Sequence, residues 1–591
     1  YEISECLVGS EMCIRDSKIY KSLAMCTLLL GLAACNDFEE MNTDPYAPVY
    51  DPEIIGATPD GIDIDYELTP SALKSLQGTE SAIGSVFANL TYEGLYNDYQ
   101  VTTNLTHDIY AAYFANNVSG FVTNSPTYGY NDGWSKRRWE HFYDNRTVEE
   151  YSQLIKTFWF CGKERYHNAF YMTRIYYAFL ISMQTDTYGA IPLEYYVKGA
   201  MPTDEKVKYM DQKDVYDVIF KMLDQAITAL HNTPSTAQYS LGENDKCFGG
   251  DKDKWLRFAN TLRLRLALRV SNVDPQLAKE QGEKAMADPA GLMQNDDDNM
   301  KQTPKYSYIT GGNENIYTLL YNWSANVVLS KEMERAYKEQ STILDPRCEI
   351  LWWRPTALED LNQTEPKEDM TKDFNGCENG ETSLGGSYTT TYSPSRVFIK
   401  QDQKKLDRKH WWCYAREIVW LGYSESLFLR AEAALRGWAG AKGTAEDLYK
   451  EGIEASFNYY QIGADEEGQE KISKYMEGLK GLQAFKSGDR EAQLEQIITQ
   501  KWIAVYPNGN EGWAEFRRTD YPRYMKTPKG GNNSGGEVAN GKFIKRLRYP
   551  DSEVSNPNRP KDVDTQGTRL WWDVADTNDD GGNYVTPNNF R

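Results

Sequence analysis

The stretch Lys254 to Val270, KWLRFANTLRLRLALRV, decides what kind of scaffold the chain builds. At about 100° per residue, Trp255, Phe258, Ala259, Leu262, Leu266 and Val270 form one stripe, while Leu256, Leu264 and Leu268 fall on other faces. A helix that is apolar nearly all round must be covered on more than one side, as in a stack of helices. Arg257, Arg263, Arg265 and Arg269 interrupt it and point in different directions. That argues against a single anion-binding stripe and for stems that pack while their heads snorkel or pair with acids.

Working outward, the same reading gives further helices. Asp214 to Leu230 carries a stripe of Val215, Val218, Ile219, Leu223, Ile227 and Leu230. Thr147 to Met183 is helical up to a stop at Gly189 and Pro192, and Gln276 to Ala287 closes at Asp288-Pro289. A first helix is expected over Ser81 to Gln100, and others at Leu329 to Gln340, Ser424 to Arg436, Ala445 to Tyr460 and Glu491 to Val505. Around Gly437, the small residues Ala431 and Ala434 on one helix precede Ala445, Tyr449 and Gly452 on the next. Small residues that let paired helices approach, with an aromatic filling the gap, make the tetratricopeptide arrangement.

Between the helices lie turn-rich sections. From His107 to Asn145 there is no long helical period, yet Tyr110, Tyr113, Phe114, Phe121, Tyr128, Tyr130, Trp134, Trp139, Phe142 and Tyr143 alternate with Asn, Gly and Ser. Asp296 to Trp323 is first acidic, with Asp296, Asp297 and Asp298 read as a solvated run, then Tyr-rich. Asp345 to Lys409 and Trp513 to Arg591 read as mostly loop, and loops this long in an ordered protein are usually functional or disordered.

The net charge of −21 over 591 residues excludes nucleic acid and anionic lipid surfaces as partners, since both require a basic face. Tyr is in excess, 42 against 20 Phe, with 15 Trp. Rings with a polar edge suit half-wet surfaces as well as cores. Near the amino terminus, Lys18 and Lys21 precede an apolar run, Leu23 to Leu32, too short to span a bilayer as a helix, which reads as a signal peptide. Its ending, Leu32-Ala33-Ala34-Cys35, resembles the lipobox of bacterial lipoproteins, which implies acylation of Cys35 and a chain attached to a membrane without spanning it. Asp37, Glu39 and Glu40 resemble the export tag of surface lipoproteins in Bacteroidetes.

The expected organisation is a non-native extension over 1–17, a signal peptide over 18–34, and an anchor and tether over 35–80. An N-terminal helical scaffold with aromatic loops follows over 81–295, a loop-rich ligand-binding section over 296–423, and C-terminal helix pairs with closing loops over 424–591. Cys161, Cys247, Cys348, Cys377 and Cys413 show no CxxC pair, so neither a disulfide framework nor a zinc site is indicated. Asp576, Asn578, Asp580 and Gly581 have the spacing of a calcium loop, but Pro587 stands where its bidentate Glu belongs, so an acidic turn is the better reading. There is no G-x-S-x-G, H-E-x-x-H or phosphate loop. No cofactor and no enzymatic activity are expected.

Several runs, taken together, resemble the SusD/RagB family. They are TDTYGAIPL (Thr185 to Leu193), DQKDVYDVIFKMLDQAITAL (Asp211 to Leu230), KWLRFANTLRLRLALR (Lys254 to Arg269), ESLFLRAEAALRG (Glu425 to Gly437), QKWIAVYPNGNEGWAEFRRTDYP (Gln500 to Pro522) and RLRYPDSEVSNPN (Arg546 to Asn558). N-T-D-P at Asn42 to Pro45 is also similar to the start of those proteins. The resemblance implies a mainly α fold, about four tetratricopeptide-like helix pairs carrying a loop-rich, strand-poor ligand-binding subdomain. It implies a lipid-anchored, surface-exposed outer-membrane protein that binds nutrients over a SusC-like TonB-dependent transporter, most often glycans and less often peptides.

Oligosaccharide recognition needs flat rings against the CH faces of sugars, with polar groups beside them. The candidates are Tyr128, Tyr130, Asn131 and Trp134 in one section, Asn313, Tyr321 and Trp323 in another, and Trp353. Asp132 and Asn322 stand adjacent. For each ring, packing in a core is the competing reading. Three rival functions are a peptide-binding lid, with an Asp- or Arg-dominated site; a surface glycoside hydrolase, whose carboxylates would release reducing ends from polysaccharide; and a helical protein adaptor, with a groove free of aromatic loops.

Overall fold

The computed structural model describes residues 69–93, 100–116, 124–145, 147–197, 207–302, 305–307, 312–314, 327–361, 367–381, 388–396, 417–479, 484–486, 488–574 and 585–591. All lie in one compact unit, Pro48–Arg591. The signal peptide, Cys35, Cys413 and the Asp576 turn fall outside the described residues.

The fold is mainly α. The first half contributes α1 (Pro70–Thr79), α2 (Ile83–Glu93), α3 (Asp132–Glu140), α4 (Thr147–Gly162), α5 (His167–Tyr188), α6 (Gln212–His231), α7 (Lys252–Arg269) and α8 (Pro275–Ala287). The second half contributes α9 (Lys331–Glu339), α10 (Pro346–Leu351), α11 (Tyr423–Leu435), α12 (Ala445–Tyr459), α13 (Glu466–Gly478), α14 (Arg490–Ala504) and α15 (Gly509–Thr519). Neighbours in sequence pack as pairs: α4 with α5, α6 with α7, α11 with α12, and α14 with α15.

The deciding helix, α7, is enclosed as its pattern requires. Trp255, Phe258, Leu262 and Leu266 on its main stripe, and Leu256, Leu264 and Leu268 off it, are all at most 1% exposed. Asp251 caps it by accepting the N–H groups of Asp253 and Lys254, which satisfies donors that have no intrahelical partner. The pair α11/α12 shows why a small residue is needed. A Cβ on Gly452 would sit 2.8 Å from the Phe428 ring, inside van der Waals contact, so glycine sets how closely the two helices approach.

The four arginines of α7 pair with acids. Arg257 meets Asp298 (2.7 Å), and Arg263 meets Asp224 (3.1 Å) and the Gln281 side chain. Asp298 is thereby buried at 2% exposure, which corrects the expectation of a solvated acidic run at that residue: the guanidinium beside it replaces its hydration. Arg265 and Arg269 enter a closed cluster that draws on α7, α11, α14 and α15. Arg265 binds Glu425 (2.6 Å), Arg269 binds Glu511 and Glu515 (2.5 Å each), and Lys501 binds Glu511 (2.6 Å) and Glu515 (3.1 Å). Arg518 binds Glu432 (2.7 Å) and Glu515 (2.8 Å). None of these eight side chains belongs to a residue more than 5% exposed.

Several boundaries differ from the sequence expectation. The first helix begins at Pro70, with Thr69 Oγ1 accepting the Ala72 N–H, and a 3-10 turn over Glu80–Ala82 separates α1 from α2. Expected loop contains π-helical turns at Gln100–Asp108 and His141–Asn145, the helix α3, and α13. Helix α15, GNEGWAEFRRT, is hidden in sequence by its two glycines, which cost helix propensity. They are there because α15 presses on Gln100–Asp108 and the segment after it: a Cβ on Gly512 would lie 2.5 Å from the Tyr113 hydroxyl.

The strands are short. β1 (Phe114–Asn116) pairs antiparallel with β7 (Val327–Leu329), β2 (Ile191–Pro192) with β3 (Tyr209–Met210), β4 (Met300–Gln302) with β8 (Ile418–Leu421), and β5 (Lys305–Ser307) with β6 (Gly312–Glu314). Among the described residues no helix is long and apolar enough to cross a membrane, and Cys161, Cys247, Cys348 and Cys377 are free thiols.

Candidate ligand-binding site

The first aromatic section reaches, through β1, the strand β7 that follows the second section in sequence. Asn116 lies opposite Val327, Ala115 opposite Val328 and Phe114 opposite Leu329. The other side of β7 carries the segment at Pro394, bridged to Val328, and Ser395 in turn bridges to Trp352. Four backbone segments therefore lie side by side there.

Most rings of the first section are core. Tyr110, Tyr113, Phe114, Tyr128, Trp139, Phe142 and Tyr143 are all less than 10% exposed. Tyr113 stacks on Trp502 at 5.5 Å and donates its hydroxyl to the Trp502 carbonyl, while Trp139 packs edge-on to Tyr188 at 5.0 Å. Short π and 3-10 turns, which bury side chains without a helical period, account for the spacing at Phe142, Tyr143 and Tyr128, while Trp139 lies on α3 and Phe114 on β1.

Two of the candidate rings are removed from the site by this packing. Tyr128 is 5% exposed and meets Tyr110 at 6.2 Å; its φ of 65° turns the chain so that the ring points inward. Trp353 is 5% exposed, with the Arg396 guanidinium 3.4 Å from its ring centre. Both are packing rings, because neither offers a face to a ligand.

Trp134 is different. It lies in the first turn of α3, is only half-buried, and stands beside Asn131 and Asp132. Asn131 occupies the cap position, its carbonyl accepting the N–H groups of Trp134 (3.1 Å) and Ser135 (2.8 Å). Tyr130, also half-buried, has its hydroxyl donated to Asp132 (2.7 Å) and a face turned to the Arg548 guanidinium at 4.3 Å. Burial and the Asp132 bond push its phenol far above the ordinary tyrosine range, so it stays a neutral donor. Asn313 sits on β6 opposite Tyr306. Tyr321 and Trp323 lie outside the described residues.

Arg548 was not picked out as a site residue in the sequence. Its signal was the run RLRYPDSEVSNPN, which reads as scaffold, and only the fold brings it over Tyr130.

The carboxylates of the buried charge cluster make no hydrolase pair. Burial pushes Glu511 up, but Arg269, Lys501 and Arg265 overcome it and hold the carboxyl at about 2. Glu515 and Glu432 are likewise held below the usual range against burial, chiefly by Arg518. Acids so paired and enclosed neither donate a proton near neutrality nor reach a substrate. Glu332 has its carboxyl raised to about 7 by burial and by Glu378, and it is 4% exposed. Among the described residues no cluster of His, Cys, Asp or Glu could hold a metal ion.

Comparison with known proteins shows the family. Residues 72–573 match the model of the SusD-like family, described as Susd and RagB outer membrane lipoprotein. Among solved structures, a chitin-binding SusD homologue from Flavobacterium johnsoniae is 27% identical with a TM-score of 0.64, covering 84% of this chain and 98% of its own. A SusD homologue from Bacteroides vulgatus is 26% identical with a TM-score of 0.67, covering 84% and 99%. Another, from Bacteroides uniformis, is 26% identical with a TM-score of 0.66, covering 84% and 99%. No curated protein matches the chain.

Proposed function

Because the chain belongs to the SusD/RagB family of outer-membrane lipoproteins, whose members bind rather than catalyse, we propose that it captures oligosaccharides at the cell surface and delivers them to a SusC-like TonB-dependent transporter. Acyl chains on Cys35 would hold it to the outer membrane, and two or more such chains suffice for stable anchoring. The observation that carries the glycan reading is Trp134: a half-exposed indole at a helix start, flanked by Asn131 and Asp132. A flat apolar face with hydrogen-bonding groups at its edge is what a sugar ring requires. Trp323, Tyr321 and Asn313 are the further contacts proposed from the second section.

The test is retardation in native gels cast with glycol chitin, starch or xylan, followed by calorimetry with the fragments of whichever polysaccharide slows the protein. Chitin comes first because one similar structure is described as chitin-binding. Retardation that Trp134→Ala abolishes supports the reading. Binding of peptides with no glycan retained would replace it with the peptide-binding lid, and release of reducing ends would replace it with a hydrolase.

A further inference from the structure

The turn that leads into Trp134 is held at nearly every second residue by the C-terminal section. The Asn533 N–H donates to the Thr127 carbonyl (2.7 Å), and its side-chain amide to Thr127 Oγ1 (2.7 Å). The Gln566 amide donates to the Tyr128 carbonyl (2.9 Å). Arg548 covers the Tyr130 ring. The Asp551 N–H donates to the Asp132 carboxylate (2.9 Å), the same oxygen that accepts the Tyr130 hydroxyl.

These holding groups are themselves anchored. Arg548 is ion-paired to Glu537 (3.0 Å) and Asp551 (2.6 Å). Gln566 is 1% exposed, and its carbonyl accepts the N–H groups of Lys545 (2.8 Å) and Arg546 (3.2 Å). The turn needs them: Tyr128 stands at φ 65°, a left-handed conformation that a residue with a Cβ adopts only where its surroundings impose it.

We propose that Arg548 and Gln566 are positioning residues for ligand binding, holding the turn 127–132 so that Trp134 is already presented in one orientation when the ligand arrives. The proposal rests on the reading that Trp134 touches the glycan. A ring ordered in advance does not have to be ordered at the ligand's expense. If loosening the turn leaves the binding-competent arrangement populated about a tenth of the time, affinity falls about tenfold.

Arg548→Ala, Gln566→Ala, Arg548→Lys and Trp134→Ala are compared with the unaltered chain at 20 °C, well below unfolding. Two quantities are read: amide hydrogen exchange over residues 124–134 without ligand, and affinity for chitohexaose or for the fragment of the glycan retained in gels. Arg548→Ala and Gln566→Ala should speed exchange across the turn and weaken binding about tenfold, and Arg548→Lys, which keeps the charge but loses the planar fork that reaches both acids and faces Tyr130, should fall between Arg548→Ala and the unaltered chain. Unchanged exchange in the two alanine variants overturns the proposal, as does unchanged affinity where Trp134→Ala abolishes binding. If Trp134→Ala binds normally, the assignment of the ring to the site has failed, and the exchange data separately show whether Arg548 and Gln566 hold the turn.

Discussion

Replacing Arg518 by Met tests whether the closed charge cluster holds the helix pairs together. Arg518 is fully buried and forms paired bonds to Glu432 (2.8 and 2.7 Å) and to Glu515 (2.9 and 2.8 Å), with a further bond to the Leu268 carbonyl (3.2 Å). Methionine fills much of the volume but leaves two carboxylates short of a cation. Breaking a buried pair from one side costs roughly 3–5 kcal/mol. Glu432 keeps Arg436 (2.8 Å), and Glu515 keeps Arg269 and Lys501, which places the loss at the lower end, about 3–4 kcal/mol. With an unfolding entropy of about 2 cal/mol/K per residue over 591 residues, that is a fall in Tm of only about 3 °C, so denaturant titration is the better assay. The pH dependence supplies a second check. In the unaltered chain both carboxyls lie below their unfolded values, so their contribution is present above about pH 4.3 and is lost as pH falls through the folded values. In the variant, burial is no longer opposed by Arg518 and both carboxyls rise. The variant's deficit therefore grows as pH rises from the parent's folded values towards about 4.3, and it stays at its largest at neutral pH. A deficit under about 1 kcal/mol, or one independent of pH, would refute the account of the cluster.

The other expectations are simpler. Trp134→Ala should abolish or strongly weaken glycan retention with Tm unchanged, whereas Trp353→Ala should cost roughly 3–5 kcal/mol in denaturant titration, as truncation of a buried aromatic does, and leave the affinity of the folded protein unaltered; the opposite pattern would exchange their roles. Gly452→Val should destabilise by about 1–3 kcal/mol, because its side chain enters the Phe428 ring, and a neutral result would mean that α12 can shift away from α11. Glu332, with its carboxyl raised to about 7, contributes stability that is lost as pH rises from its unfolded value of about 4.3 through 7, so Glu332→Gln should flatten the stability profile over that window. A Gln variant with the same pH profile as the parent would show that another group titrates there.

How much could be read in advance depended on how each element carries its information. Helices such as α6 and α7 announce themselves because their apolar residues recur with the helical period, and the arginines of α7 could be assigned to acids because their directions exclude a shared ligand. Which acids receive them is not in the pattern: Glu425, Glu511 and Glu515 come from helices more than 150 residues away. Helix α15 was concealed for a related reason. Its glycines are dictated by the closeness of Asp108 to Gly509 and of Tyr113 to Gly512, a tertiary demand that opposes the local one. The tether expected over 35–80 gives way to helix from Pro70, since Thr69-Pro70 is both a plausible turn and a good helix start.

The aromatic section shows where composition misleads about function. Rings spaced irregularly among Asn, Gly and Ser look like loop rings, but irregular spacing excludes only a regular helix or strand; it does not exclude burial. Short π and 3-10 turns change direction every few residues and can turn rings inward, as the π turn does at Phe142 and Tyr143 and the 3-10 turn at Tyr128, while Trp139 is buried from α3. Tyr suits such burial, because its hydroxyl reaches backbone carbonyls, as Tyr113 does at Trp502 and Tyr143 at Pro192. The tyrosine excess is therefore largely a consequence of building an ordered core from irregular backbone. That core has a functional result: a turn packed on its inner side by Tyr128 and tied on its outer side by Arg548 leaves Trp134 little freedom. On the proposed reading, the buried rings are what gives Trp134 its defined direction, and substituting Tyr128 by Ala should loosen exchange across residues 124–134 as surely as removing Arg548.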